Sequence, residues 1–304
     1  SVYWHLFGCE SNQELKSLAE KISPMGSKFS NDILLNDKLF SKIKFVYENK
    51  ENEELDNQDI RLIDVTYKRF IRNGASLNNE NKEKIREIDE KLSLLSPKFS
   101  NNVLNAQNKF ELWVDNENDL AGLPDSSVSM AKQEAKQKNE PEKWLFTLQY
   151  PSMGPFLSYA KNRELRKELY LAYGSLCNND DFSNTEIVKE IVQLKHKRAN
   201  LLGYNTFADY VLDDRMAESV ENVYGLLDDL YDNCYDKAKI ELDELKDFAK
   251  NLDNINDFKP WDQSYYFTKL QKEKFDIDPE MLRPYFKAEN VIKGIFEVAN
   301  NMYG

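Results

Sequence analysis

Residues 80–103 read ENKEKIREIDEKLSLLSPKFSNNV. Ile85, Ile88, Leu92, Leu95, Phe99 and Val103 recur every three or four residues. That interval lines side chains along one face of an α-helix and predicts a long helix with one buried stripe. Pro97 falls inside the stretch. It has no backbone N–H and its ring crowds the preceding turn, so a kink or break is expected there. Upstream, residues 13–47 read as two or three helices. Leu15, Leu18 and Ile22 form one stripe up to an interruption at Ser23-Pro24, and Leu39, Phe40, Ile43 and Val46 form the next. Residues 48–58 are polar and read as a loop; Ile60 to Phe70 is helical again, stopped by Asn73-Gly74.

Downstream the pattern changes. Phe110 to Val114 and Trp144 to Tyr150 alternate large apolar and smaller residues and are rich in aromatics, which predicts two short paired strands with a helix from about Ser126 to Asn139 between them. After Pro155 the chain is helical to its end. Helices are expected over 163–173 and 184–202, with Gly203 as a left-handed cap. Ser219 caps a long helix running through Leu226, Leu230, Leu242 and Phe248, and two more cover 261–275 and 289–303. The reading divides the chain into 1–109, a helical region, 110–150, a strand–helix–strand segment, and 151–304, a second helical region. No fixed repeat period emerges.

Composition agrees with a mainly α fold. Gly (10) and Pro (9) are scarce among 304 residues, while aromatics make up 12% and hydrophobic residues 41%, enough to build a core. The formal net charge of −12 repels a phosphate backbone, so nucleic acid is not an expected partner. No apolar run reaches the ~18 residues of a membrane span. The three cysteines, Cys9, Cys177 and Cys234, have unrelated spacings and suit a reducing, cytoplasmic compartment better than a disulfide framework.

Catalytic motifs are scarce. The two histidines, His5 and His196, stand too far apart for H-E-x-x-H, which sets two imidazoles one helical turn apart on one metal. No G-x-S-x-G elbow, phosphate loop or G-x-G-x-x-G turn is present. Cys177 reads as a small packing residue, with a thiol nucleophile as the alternative. The pairs Asp180-Asp181, Asp213-Asp214 and Asp228-Asp229 say little in a chain with 53 acids. The run LKHKRAN around His196 reads as a solvated helix face, with a small anion patch as the alternative.

Five strings are more specific. ISPMGSKFSNDILLNDKLFSKIKFVYE at 22–48 is one, and ELWVDNENDLAGLPDSSV at 111–128, with its L-x-G-L-P turn, is a second. WLFTLQYPSMGPFLSYAKNRELRKELYLAYGSL at 144–176 and NTEIVKEIVQLKHKRANLLGYNTFADYVLDDRMAES at 184–219 follow. PWDQSYYFTKLQKEKFDIDPEMLRPYF at 260–286 is the last. In this order they resemble the thimet oligopeptidase family of zinc metallopeptidases, which includes oligopeptidase A and the bacterial peptidyl-dipeptidases. The resemblance runs from about Val2 to Gly304.

It implies the N-terminal, non-catalytic half of a two-lobed enzyme whose helical halves enclose a channel for short peptides. The family's H-E-x-x-H helix has no matching position here, so no catalytic or metal-binding residue carries over. Zinc is expected in the parent protein and not in this chain, and the chain alone is expected to be inactive. The parent is expected to be a monomer, with the missing catalytic half as partner. Tyr265, Tyr266, Tyr285 and Arg215 are the expected channel-lining residues, against packing for the tyrosines and an ion pair with Asp213 or Asp214 for the arginine. The competing reading is a helical binding or scaffold protein without chemistry. An uncovered apolar surface would favour the fragment.

Overall fold

A computed structural model describes residues 2–10, 12–52, 54–178, 181–276 and 279–304. Asp180, one of the paired carboxylates singled out above, lies outside the described residues. The structure is mainly α, with one two-stranded antiparallel sheet. In chain order the α-helices are α1 (Val2–Cys9), α2 (Gln13–Leu34), α3 (Asp37–Asn49), α4 (Asn57–Arg72) and α5 (Asn79–Lys109). Strand β1 (Leu112–Val114), α6 (Asp125–Gln137) and β2 (Trp144–Phe146) follow. Then come α7 (Tyr150–Tyr159), α8 (Arg163–Gly174), α9 (Thr185–Leu201), α10 (Phe207–Leu212) and α11 (Val220–Asp253). The chain closes with α12 (Pro260–Phe275), α13 (Pro279–Leu282) and α14 (Ala288–Tyr303).

The interruption expected at Ser23-Pro24 does not occur, and of the kink or break expected at Pro97 the break does not. Pro24 lies inside α2 and Pro97 inside α5, and both helices run through them. A proline removes one donor, but apolar residues on both sides of each are buried: Ala19 and Leu34 around Pro24, Ile85 and Ala106 around Pro97. Burial on both sides of the defect outweighs one missing hydrogen bond. The two strands pair as read, with Leu112 opposite Phe146 and Val114 opposite Trp144, but they are shorter than read, Leu112–Val114 and Trp144–Phe146, and Tyr150 already opens α7.

Helix ends follow local chemistry. Asn36 and Asp56 cap α3 and α4 by accepting backbone N–H groups of the first turn, Leu39 N–H at 2.9 Å and Asp59 N–H at 2.9 Å. Ser219 Oγ accepts the Asn222 N–H at 3.2 Å, as expected of a cap for α11. At the end of α9, Gly203 has φ +89° and the Tyr204 N–H returns to the Ala199 carbonyl at 3.0 Å, which closes a left-handed cap.

The chain forms two compact units, each drawn from two separated stretches. The first comprises Ser1–Leu104 and Cys177–Asp229; the second, Asn105–Leu176 and Leu230–Gly304. In the first unit, Leu34, Phe70 and Ala75 form a core against Phe40 and Ile43. Tyr47 and Tyr67 stack at 3.9 Å on the same α3–α4 pair. The second unit has a larger core, built where the sheet meets α6, α7 and α8. Leu112, Val114, Phe146, Leu148, Phe156 and Leu169 are buried there, with Phe146 edge-on to Phe156 at 4.6 Å.

The L-A-G-L-P turn is tied to that core. The Lys161 N–H donates to the Ala121 carbonyl at 2.9 Å, and Gly122 has φ +92°. A Cβ on Gly122 would overlap the Tyr159 carbonyl oxygen. Backbone sign and backbone clash act together, so Gly122→Ala should destabilise the chain by about 2–4 kcal/mol. Urea denaturation followed by circular dichroism measures this; a loss under ~0.5 kcal/mol would contradict the close approach.

Candidate functional site

Pro260 opens α12 at a position where a missing N–H costs nothing. Asp262, two residues on, turns back and accepts the Lys259 N–H at 2.9 Å. Its side chain is 0% exposed. A bare carboxylate could not persist there. Arg163 reaches it with two parallel hydrogen bonds, Nε at 2.9 Å and Nη2 at 2.7 Å, and Arg166 Nη2 adds a third at 3.1 Å. Both arginines come from the first turn of α8, three residues apart and therefore on one face.

Arg166 is itself 1% exposed, and its remaining donors are used. Nη1 donates to the Ala160 and Lys161 carbonyls at 2.7 and 3.1 Å, and Nε to the Trp261 carbonyl at 3.3 Å. Burial alone would push the Asp262 carboxyl up. The Arg163 hydrogen bonds, the Lys259 N–H and the two positive charges outweigh it and hold the carboxyl below its ordinary value. Arg163 is held above its own ordinary value, first by its hydrogen bonds to Asp262. With both carboxylate oxygens of Asp262 taken by guanidinium and backbone N–H donors, the cluster can position α8 against α12.

The tyrosines expected along a channel separate into two kinds. Tyr265 and Tyr266 are 4% and 2% exposed. The Arg166 guanidinium lies 4.1 Å over the Tyr265 ring, and Tyr265 meets Tyr266 edge-on at 5.0 Å. Tyr266 Oη donates to Asp253 Oδ2 at 3.0 Å. Burial, then the Asp253 carboxylate, push the Tyr266 phenol well above its ordinary value, so it stays protonated. Both rings pack with Leu245 and Ala249 in a core shared by α11 and α12.

Tyr285 is different. It ends a short 3-10 turn, Arg283–Tyr285, and is 79% exposed. Arg283 steadies that turn by donating to Ser126 Oγ at 2.6 Å and pairing with Glu280 at 3.1 Å.

Arg215 belongs to the first unit and is exposed. The acids beside it pair elsewhere: Asp213 with Arg72 and Tyr204, and Asp214 with Lys68 at 3.2 Å. Among the described residues, no ion pair or side-chain hydrogen bond reaches Arg215.

The cations of LKHKRAN diverge. Lys195 lies 5.0 Å over the Phe207 ring, and Arg198 binds Asp89 at 2.7 Å, while His196 and Lys197 face solvent. Cys177 is buried, and no disulfide joins Cys9, Cys177 and Cys234. Sequence reasoning missed the Arg163–Arg166–Asp262 cluster. The available signal was two arginines three apart in one string and an acid directly after Pro-Trp in another; nothing local says that they meet.

The zinc implied by the resemblance does not fit these residues. Among the described residues, no three His, Cys, Asp or Glu side chains converge on a point that could hold a metal ion. His5 and His196 are both exposed, on α1 and α9. No chemical step at a metal is derived for this chain.

Residues 156–304 match the model of peptidase family M3. The chain is 33% identical over 316 aligned positions to the organellar oligopeptidase A of Arabidopsis thaliana, covering 100% of this chain and 40% of that protein. It is 32% identical to oligopeptidase A of Escherichia coli strain K12, with 99% of this chain and 45% of that protein aligned. It is 28% identical to the dipeptidyl carboxypeptidase of the same organism, over 100% of this chain and 45% of that protein. The chain thus spans less than half the length of the curated relatives it matches.

The Asp262 cluster has a pH consequence. Its folded-state pKa lies below the unfolded value, so its contribution to stability is full above the unfolded pKa, near 4, and is lost as pH falls through the folded one. Asp262→Asn leaves Arg166 buried without a counter-charge and should cost about 3–5 kcal/mol at pH 7. The difference from the parent chain should shrink as the pH is taken below about 4. Urea titrations between neutral and acid pH test both; a constant difference would mean that Asp262 carries no charge in the fold.

Proposed function

Since the chain is related along its whole length to oligopeptidases of the M3 peptidase family, we propose that it is a non-catalytic part of a zinc metallopeptidase that hydrolyses short peptides. The H-E-x-x-H segment and its metal are assigned to further sequence of the parent protein. The observation that carries this reading is the alignment itself, which uses almost all of this chain and only 40–45% of the relatives. Their names cover both an oligopeptidase and a dipeptidyl carboxypeptidase, so the reading stops at short peptides as the substrate class.

Exposed apolar residues support it. On α14, Val291, Ile292, Ile295, Phe296, Val298 and Met302 are all exposed. On α11, Tyr224, Leu226, Leu227, Leu230, Tyr231 and Tyr235 are exposed too. Removing apolar surface from water is worth ~25 cal/mol per Å², so helices with such faces are stabilised by a further packing partner. The missing catalytic half is the proposed partner.

In this role the chain supplies wall rather than chemistry. A helical wall narrows the passage and keeps folded proteins out, and it holds a peptide extended, which lowers the entropic part of the barrier. Tyr285 and Arg215 are the proposed peptide contacts, one offering a ring and a hydroxyl, the other a planar fork for a carboxylate. Tyr265 and Tyr266 are proposed to support α12 from behind. A relative named as a probable cytosolic oligopeptidase A, from Arabidopsis thaliana, supports the proposed cytoplasmic location.

The test compares this chain with a longer gene product that continues beyond Gly304. The chain alone should hold no stoichiometric zinc and leave a quenched fluorogenic peptide intact. The longer product should bind zinc and cleave it, and Tyr285→Ala should raise its KM several-fold. Zinc-dependent turnover by the chain alone would overturn the assignment. A longer product with neither zinc nor turnover would favour a helical scaffold.

A further inference from the structure

The first unit carries a groove that the peptidase reading leaves unused. It lies between α5 and α9 and has a volume of about 550 Å³. Ile88, Leu194 and Leu201 line it with apolar surface, Ile88 and Leu194 being nearly fully buried. Lys84 and Lys91 of α5 and Lys197 of α9 also line it. Glu87 is the acid among the lining residues, and Lys84 is held by Glu80 at 2.6 Å. Among the described residues, Lys91 and Lys197 have no ion pair. These two ammonium groups set positive charge at the groove in a chain of net charge −12.

The spacing is regular. Lys84, Ile88 and Lys91 advance along one helix face, and the seven residues from Lys84 to Lys91 correspond to about 10.5 Å of axis. With Lys84 taken by Glu80, a third helix laid in the groove would meet Lys91 on the α5 side and Lys197 on the α9 side with carboxylates flanking an aliphatic face.

We propose that the α5–α9 groove is a docking site for an acidic amphipathic helix. Aliphatic side chains of the partner pack on Leu201 and on the edges of Ile88 and Leu194 that remain open, and its carboxylates meet Lys91 and Lys197. The cations speed encounter and select acidic over basic helices, while the apolar contact slows release. The site does not depend on the peptidase assignment, because it uses neither a metal nor the exposed faces of α11 and α14.

Fluorescence anisotropy of the full chain tests it. The probe is a fluorescein-labelled, helix-stabilised peptide of about 15 residues with glutamates flanking leucines on one face. Binding should saturate and should weaken about tenfold or more in the double substitution Lys91→Glu with Lys197→Glu, and likewise in high salt. Lys189→Glu, on α9 but not among the groove residues, should leave it unchanged. Circular dichroism confirms that each variant is folded. Equal binding by the double variant would overturn the proposal, as would equal binding of a matching lysine–leucine helix. Displacement of the probe by millimolar inorganic phosphate would reduce the groove to a loose anion site. Sedimentation showing the groove filled by a second copy of this chain would also sink it.

Discussion

A fully buried carboxylate governs the second unit. Asp262 has lost its water, and an ionised acid in that position is tolerated only if other charges and donors replace the solvent completely. Two guanidinium groups and one backbone N–H do so. Arg166 is buried as well, and three carbonyls take the donors that Asp262 leaves over. Neither side can slide, since any shift of α8 along α12 would strand a charge. The tyrosines follow from this. Tyr265 packs on the Arg166 plane, and Tyr266, next in line, turns inward to Asp253. Both tyrosines are thus taken up in the core shared by α11 and α12.

The first unit uses the same device at another place. Arg198 on α9 reaches Asp89 on α5, Asn73 at the end of α4, and the Tyr210 hydroxyl on α10 at 3.2 Å. One planar, permanently charged side chain joins four elements. Arg72 does similar work for the segment after α10, through Asp213 and the Tyr210 carbonyl. This explains why a run of four cationic or imidazole residues is not an anion patch. At 100° per residue, consecutive side chains point in different directions, and each meets a different neighbour. Lys197, left outward, becomes part of a groove instead.

Both units have cores of their own, yet α11 and α14 keep large apolar side chains in water. Scattered exposed leucines are normal; a helix with nearly every large apolar residue exposed is not. These faces offer packing surface in a chain that spans less than half the length of the curated relatives it matches, and no cluster of metal ligands occurs among its described residues.

Much of the architecture was legible locally. The α5 stripe, the strand pair, the Ser219 cap and the Gly203 turn depend on residues within a few positions of one another, and periodicity and capping chemistry report such neighbours directly. Family-like strings likewise pointed to the peptidases, because residue order survives in one dimension. That α2 and α5 continue through Pro24 and Pro97 was not legible for the opposite reason: burial far along each helix outweighed a local defect. Arg163, Arg166 and Asp262 lie about a hundred residues apart in sequence, and only the folded chain brings their charges together. The sequence by itself determined the helices, their ends and the kinship. Tertiary structure alone decided which tyrosines are buried, which arginines act as clamps and which apolar faces stay open, because each of these depends on what water can still reach.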